Sequence, residues 1–362
     1  MGARFSVGID LGTTNSVIAC VALDQEQAKV ELVPIPQLTA PSTVEARDFL
    51  PSFLYLGTEA ETAAGQLDAG GKKKAAHAVG AFAQRQAADV PVRTIASAKS
   101  WLCDTRVDRR QPILPWGAPA EVPKMSPVVA SRHYLEQLAA AWKAAYPKAP
   151  LAQQEVVLTL PASFDASARE LTREAAIEAG LPEGVVLLEE PQAALYAWLA
   201  EMGDRWRRHL KPGDRLLVCD VGGGTTDLTL IDVAEEDGQL VLKRVAVGNH
   251  TLVGGDNMDL AMAHFAAAAF AKKGVTLDPW QSVALWHSCR VAKEAMLNES
   301  GPAKHPVTVL GRGSKLIGGT VSVELEREAV SKLLLDGFFP ACALRDAPER
   351  RRVPGFKEIG LP

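Results

Sequence analysis

One kind of turn occurs twice in this chain. FSVGIDLGTTNSVIACV carries an apolar strand into Asp10, then Gly12, Thr13 and Thr14, then a second strand. RLLVCDVGGGTTDLTLIDV repeats the plan with Asp220, then Gly222, Gly223, Gly224 and Thr225 ahead of its returning strand. Each reads as a β-hairpin whose tight turn offers backbone N–H groups and hydroxyls, with a carboxylate closing the incoming strand. Glycine permits positive φ and a close approach of backbone to ligand, and successive N–H groups in such a turn form a concavity for anions. Two of these turns facing one another across a cleft would hold a polyphosphate between them. A third acidic site, Glu189–Glu190, also ends a predicted strand, and open α/β sheets bind ligands beyond the carboxyl ends of their strands. Carboxylates converging to about 5 Å repel by roughly 3 kcal/mol at an effective dielectric near 20. Mg2+, which combines carboxylates with substrate phosphates and retains several waters, removes that penalty. Neither glycine turn is followed by a Walker lysine, which excludes the usual P-loop.

A length of 362 residues suggests two to three domains. A net charge of −4 carries no nucleic-acid footprint, and Lys72-Lys73-Lys74 reads as solvated surface. Cys20, Cys103, Cys219, Cys289 and Cys342 form no close pair, so buried, reduced thiols of a cytosolic protein are expected. The histidines lack metal-site spacing. AMAHFAAAAF is too short to span a membrane, and strand residues begin where a signal peptide would stand. The expectation is cytoplasmic, with neither membrane nor nucleic acid as partner.

Strands surround the first turn over 4–33, and a stretch from Pro34 to Pro51 leads to the strand SFLYLG. An Ala-rich helical pattern runs from about Ala75 to Cys103, and five prolines break 104–127 into loops and short strands. A helix over about Ser131 to Tyr146 places Tyr134, Leu135, Leu138 and Trp142 at helical spacing. EVVLTLP is a buried strand, and a helix from about Ala166 to Ala179 has Asp165 as N-cap and Gly180 as its stop. VVLLEEP predicts a strand, Gln192 to roughly Trp206 a helix, and LKPGD a boundary. Helices over about Met258 to Lys273, Asp278 to Asn298 and Glu326 to Leu335 follow the second hairpin. After Pro340 the composition turns to Arg and Pro, which reads as a chain cut short.

The ordered set IDLGTTNS, TLPASF, EEPQAAL, VCDVGGGTTDL, VGGDNMD and CRVAKEAML resembles the ATPase domain of the DnaK-type heat-shock chaperones, within the actin and sugar-kinase superfamily. The match runs in order over about residues 4–330. It implies a two-lobed, actin-like α/β fold, each lobe with a ribonuclease-H-like mixed sheet flanked by helices, enclosing ATP or ADP, Mg2+ and K+. Lobe I would cover 1–207, with a core of 1–45 and 126–207 and a subdomain inserted at 46–125. Lobe II would cover 208–362, with a core of 208–250 and 307–340 and a helical insertion at 251–306. A slow ATPase is implied, acting as a conformational switch on client binding by a separate domain. A sugar-type kinase and an actin-like nucleotide-binding module with little turnover are the alternatives.

The resemblance also implies residue roles. Asp10, Asp220 and Glu190 would hold the metal, mostly through water, with Glu190 also positioning attacking water. Thr13 and Thr14, with N–H groups from Gly12 onward and Asn15 beside them, would contact phosphates. Gly222, Gly223, Gly224 and Thr225 would form the opposing clamp, braced by Asp227. Lys99 would be the catalytic lysine, although a lone helical lysine is ordinarily a solvated charge. Pro161 and Arg169 would relay nucleotide state, their plainer readings being a strand-ending proline and a helix-surface arginine. Gly254, Gly255, Asp256, Arg290, Lys293 and Glu294 would complete the nucleotide-binding set.

Arg290 and Glu294 exchange the charges usual in the family, so Arg290 is expected to stack on adenine. The alternative is an i, i+4 ion pair between the two. The docking positions Ser163, Asp165, Ala166, Val186 and Glu189 also depart from the family pattern, so any J-domain co-chaperone would be specialised; an exchange factor is the other implied partner. The family's later glycine loop, linker and client-binding domain have no counterpart before Pro362, so weak nucleotide binding is expected.

Overall fold

The computed structural model describes residues 2–25, 29–69, 73–248, 251–310 and 319–347. Lys72 and most of the Arg- and Pro-rich tail lie outside them. β1 (Phe5–Leu11) turns at Gly12 into β2 (Asn15–Ala22), followed by β3 (Glu31–Leu32), β4 (Ile35–Ala40), β5 (Thr43–Arg47), β6 (Leu50–Pro51) and β7 (Leu54–Leu56). α1 (Glu59–Ala63) begins with a capping box, in which Thr58 Oγ1 accepts from the Glu61 N–H while Glu61 accepts from the Thr58 N–H.

The Ala-rich segment that follows is not one helix. β8 (His77–Val79), α2 (Ala81–Asp89), β9 (Thr94–Ile95) and α3 (Ala98–Cys103) divide it. Gly80 sits at the first break with φ +97°, where a Cβ would meet Gln37 Oε1 at 2.5 Å and Leu50 Cδ1 at 2.7 Å. The same Gln37 oxygen accepts from the Ala81 N–H and starts α2. Packing on β4 therefore overrides alanine's helix propensity here.

α4 (Pro127–Ala145) starts at Pro127 because Ser126 Oγ accepts from the Val129 N–H and proline suits the first helical position. β10 (Glu155–Leu160) then leads to α5 (Ala166–Glu178), capped by Asp165 and stopped at Gly180 (φ +94°), and to β11 (Val186–Glu189). α6 (Glu190–Met202) and α7 (Trp206–His209) connect to the second half. That half contains β12 (Arg215–Val221), β13 (Thr226–Glu236), β14 (Gln239–Val247), α8 (Gly255–Lys272), α9 (Pro279–Leu297), β15 (Lys304–Leu310), β16 (Thr320–Glu326) and α10 (Arg327–Phe338).

The first sheet runs β11-β10-β1-β2-β3, an antiparallel meander extended on the β1 edge by two parallel strands. Its core gathers Ile9, Ile18, Trp101, Tyr134 and Trp142. The second sheet, β12-β13-β14, is the antiparallel meander alone among the described residues. A separate core built on Met262, Phe270, Trp286 and Met296 unites α8, α9, α10 and the β15–β16 hairpin. The halves meet where α6 lies on β12 and α2 on α9. Cys20 and Cys289 are buried as expected, but Cys219 and Cys342 are exposed, Cys219 because it lies on the outward face of β12. Among the described residues no helix is long and apolar enough to cross a membrane.

Candidate active site

The first turn is fixed by its neighbours. Asp10 ends β1 opposite Thr159, whose hydroxyl donates to Asp10 Oδ1 at 2.7 Å. Gly12 is obligatory, since a Cβ there would lie 2.1 Å from the Asn15 carbonyl oxygen. Ser52 holds the turn from outside: its N–H donates to Thr14 O at 2.8 Å and its hydroxyl to Gly12 O at 2.7 Å. The N–H groups of Thr13 and Thr14 find no acceptor among the described residues.

In the second turn, Asp220 pairs across the hairpin with the buried Asp227, and the Gly222 N–H donates to Thr225 O at 2.8 Å. α8 starts directly on this turn. The N–H groups of Gly255 and Asp256 donate to Gly222 O (3.0 Å) and Gly223 O (2.7 Å). Gly254 permits that approach, because a Cβ would stand 2.5 Å from Gly222 O. The N–H groups of Gly223, Gly224 and Thr225 find no acceptor among the described residues.

The two turns face each other and touch. A Cβ on Gly223 would lie 2.1 Å from Thr14 Oγ1; one on Gly224 would lie 2.2 Å from Ser100 Oγ and 3.1 Å from Thr13 Cγ2. Lys99, 8% exposed, is no surface charge: its ammonium is ion-paired with Glu190, the first residue of α6. Burial acts to lower the Lys99 pKa, but Glu190 and Asp10 outweigh it and hold the group above the ordinary lysine value. Burial lifts the Glu190 carboxyl against the pull of Lys99, and the charges of Asp10 and Asp220 add to the rise. Asp220 is lifted by burial too, with Asp227 and Asp10 adding to it and Lys99 opposing. An ammonium, three mutually repelling carboxylates and two sets of unpaired N–H groups thus converge, a donor set suited to phosphates and a divalent cation. Among the described residues no three His, Cys, Asp or Glu side chains approach closely enough to ligate an ion directly.

A family model described as Hsp70 protein matches residues 6–338. The chain belongs to the Hsp70 family. It is similar to chaperone protein HscA of Enterobacter sp. (strain 638), with 30% identity over 274 residues, which is 72% of this chain and 37% of the relative. Chaperone protein DnaK of Stenotrophomonas maltophilia (strain R551-3) is 30% identical over 291 residues, 75% of this chain and 40% of the relative. HscA of Serratia proteamaculans (strain 568) is 32% identical over 272 residues, 72% and 37% of the two chains. The chain therefore spans about two fifths of the length of these curated relatives. Its two-lobed α/β architecture is the actin-like fold of the Hsp70 family.

Arg290, expected to stack on adenine, is engaged within the protein in this arrangement. Arg290, 5% exposed, ion-pairs with Asp256 and Asp259 of α8, the latter at 2.8 Å, and its guanidinium lies 5.4 Å from the Phe53 and Trp286 rings. Its guanidinium edges are taken by α8, and Glu294, the expected i, i+4 partner, is exposed and acts on it through charge alone. Lys293 is held by Asp259 (2.6 Å) and the Gly255 carbonyl (3.0 Å). Ser97, from lobe I, donates to Asp256 Oδ2 at 2.5 Å, so the cluster ties the lobes together. Pro161 is buried at the end of β10, and Arg169 grips the following turn through Ala162 O and Phe164 O. Arg169 also pairs with Glu189 at 2.8 Å, and Glu189 pairs in turn with Arg244 on β14 of lobe II. Ser52, Ser97 and Arg244 carry no sequence signal, because their partners are distant in the chain.

Proposed function

We propose that this chain is the nucleotide-binding part of an Hsp70-type chaperone, which binds ATP with Mg2+ between its lobes and hydrolyses it slowly. The lobe boundary is placed near residue 207. The observation that carries the reading is the contact of the two glycine–threonine turns beside Asp10, Asp220 and the Lys99–Glu190 pair. The N–H groups of Thr13, Thr14, Gly223, Gly224 and Thr225 bind phosphate oxygens, and the threonine hydroxyls add to them. Asp10 and Asp220 hold hydrated Mg2+, which when bound neutralises phosphate charge. Glu190 orients the attacking water, and the Lys99 ammonium stands where negative charge grows as the terminal phosphoryl group departs. K+ would serve as an accessory ion. Arg169, through Glu189, carries the state of the cleft outward. Client proteins, bound by a separate region, and specialised J-domain and exchange-factor partners complete the proposed cycle.

Titration calorimetry with MgATP and single-turnover hydrolysis test the reading. Wild-type protein should bind and hydrolyse, while Thr225→Ala should bind and turn over slowly. Absence of MgATP binding would refute it.

A further inference from the structure

We propose that Ser100 is a phosphate-contacting residue of this cleft, a role resting on the nucleotide-binding reading above. Its side chain is 3% exposed, and its hydroxyl has no hydrogen-bond partner among the described residues. Buried hydroxyls are nearly always paired, and one left unpaired is costly. Helical hydroxyls commonly turn back to the carbonyl four residues earlier. Thr172 does so to Ala168 O at 2.8 Å and Ser282 to Asp278 O at 2.9 Å. Ser100 does not; its oxygen points across the lobe interface at Gly224, into the seam where Thr13 also arrives.

The N–H groups of both turns that border this seam have no acceptor among the described residues, while the Lys99 ammonium, next in the chain, is held by Glu190. A ring of donors is complemented by an anion bearing several acceptor oxygens. The Ser100 hydroxyl can donate to such an oxygen, and Gly224, where a Cβ would lie 2.2 Å from it, lets the second turn come this close. The ligand class is therefore the phosphate chain itself, independent of any base attached to it.

Calorimetry with MgATP and with magnesium tripolyphosphate, on wild type, Ser100→Ala and Ser100→Cys, tests this. Ser100→Ala should bind both ligands about tenfold more weakly, the loss of one hydrogen bond to a charged group. Its ligand-free melting temperature should be unchanged or higher, because an unpaired buried polar atom has gone. Ser100→Cys keeps the shape with a poor donor and should weaken binding similarly, which carries the test if the alanine variant misfolds. Wild-type affinity in either variant, or a ligand-free melting temperature several degrees lower in both, overturns the assignment and leaves the cleft reading intact. A wild-type protein that binds neither ligand removes the cleft reading and Ser100 with it.

Discussion

Arg290→Met asks whether the buried ion cluster is a structural element. The guanidinium lies between Asp256 and Asp259, 5% exposed. Removing one partner of a buried pair costs about 3–5 kcal/mol, because an uncompensated charge stays behind. Lys293 still faces Asp259 at 2.6 Å, whereas Asp256 keeps only the Ser97 hydroxyl. The loss then falls on one carboxylate, and about 3 kcal/mol is expected. Burial already lifts the Asp256 pKa against the pull of Arg290, and without Arg290 it rises further. A carboxyl whose folded-state pKa is raised favours folding at low pH and loses that contribution as pH rises through the folded value. The deficit relative to wild type should therefore shrink as the pH is lowered, and adding Asp256→Asn should recover most of it. Guanidinium unfolding followed by tryptophan fluorescence measures this, since the Trp286 indole N–H donates to Asp256 O at 3.2 Å. A loss under about 1 kcal/mol, typical of exposed pairs, or a deficit that grows in acid would refute the reasoning and free Arg290 for ligand contact.

Lys99→Met should slow single-turnover ATP hydrolysis by about 10²–10³-fold while changing ATP affinity much less; hydrolysis at the wild-type rate would remove its electrostatic role. Gly12→Ala should melt lower than Gly224→Ala, by about 3 against about 1 kcal/mol. The added methyl at position 12 meets a backbone oxygen, whereas at 224 it meets a serine hydroxyl that can rotate; equal melting would contradict this. His287 is pushed down to about 3 by burial and secondarily by Arg290, so it stays neutral when folded while the unfolded residue titrates near 6.5. Its contribution is present above about pH 6.5 and lost as pH falls towards 3, by about 1.4 kcal/mol per unit. His287→Gln should flatten that part of a denaturation series against pH, and an unchanged slope would show the histidine charging in the folded state.

The sequence carries the two acidic turns legibly because each is local chemistry: a strand, a carboxylate, then glycines whose missing Cβ is required within a few residues, as at Gly12. α5 is legible for the same reason, with Asp165 and Gly180 marking its ends. What escapes is written between distant segments. Gly80 breaks the helical run because Gln37 and Leu50 crowd it. Arg290 is a plausible ligand contact by position, yet Asp256 and Asp259 claim it from another helix. Pro127 resembles a breaker until Ser126 is seen to cap behind it.

Two polar ties between the lobes, among the described residues, differ in kind. Ser97 meets Asp256 inside the buried Arg290 cluster, out of reach of counterions. Glu189 reaches Arg244, whose side chain is 41% exposed, at a place where dissolved salt can compete. Ionic strength thus slackens one fastening and spares the other. In dilute buffer the residue beside Glu190 is tethered to lobe II; in concentrated salt that tether loosens while the serine–aspartate pin and the packing of α2 on α9 remain.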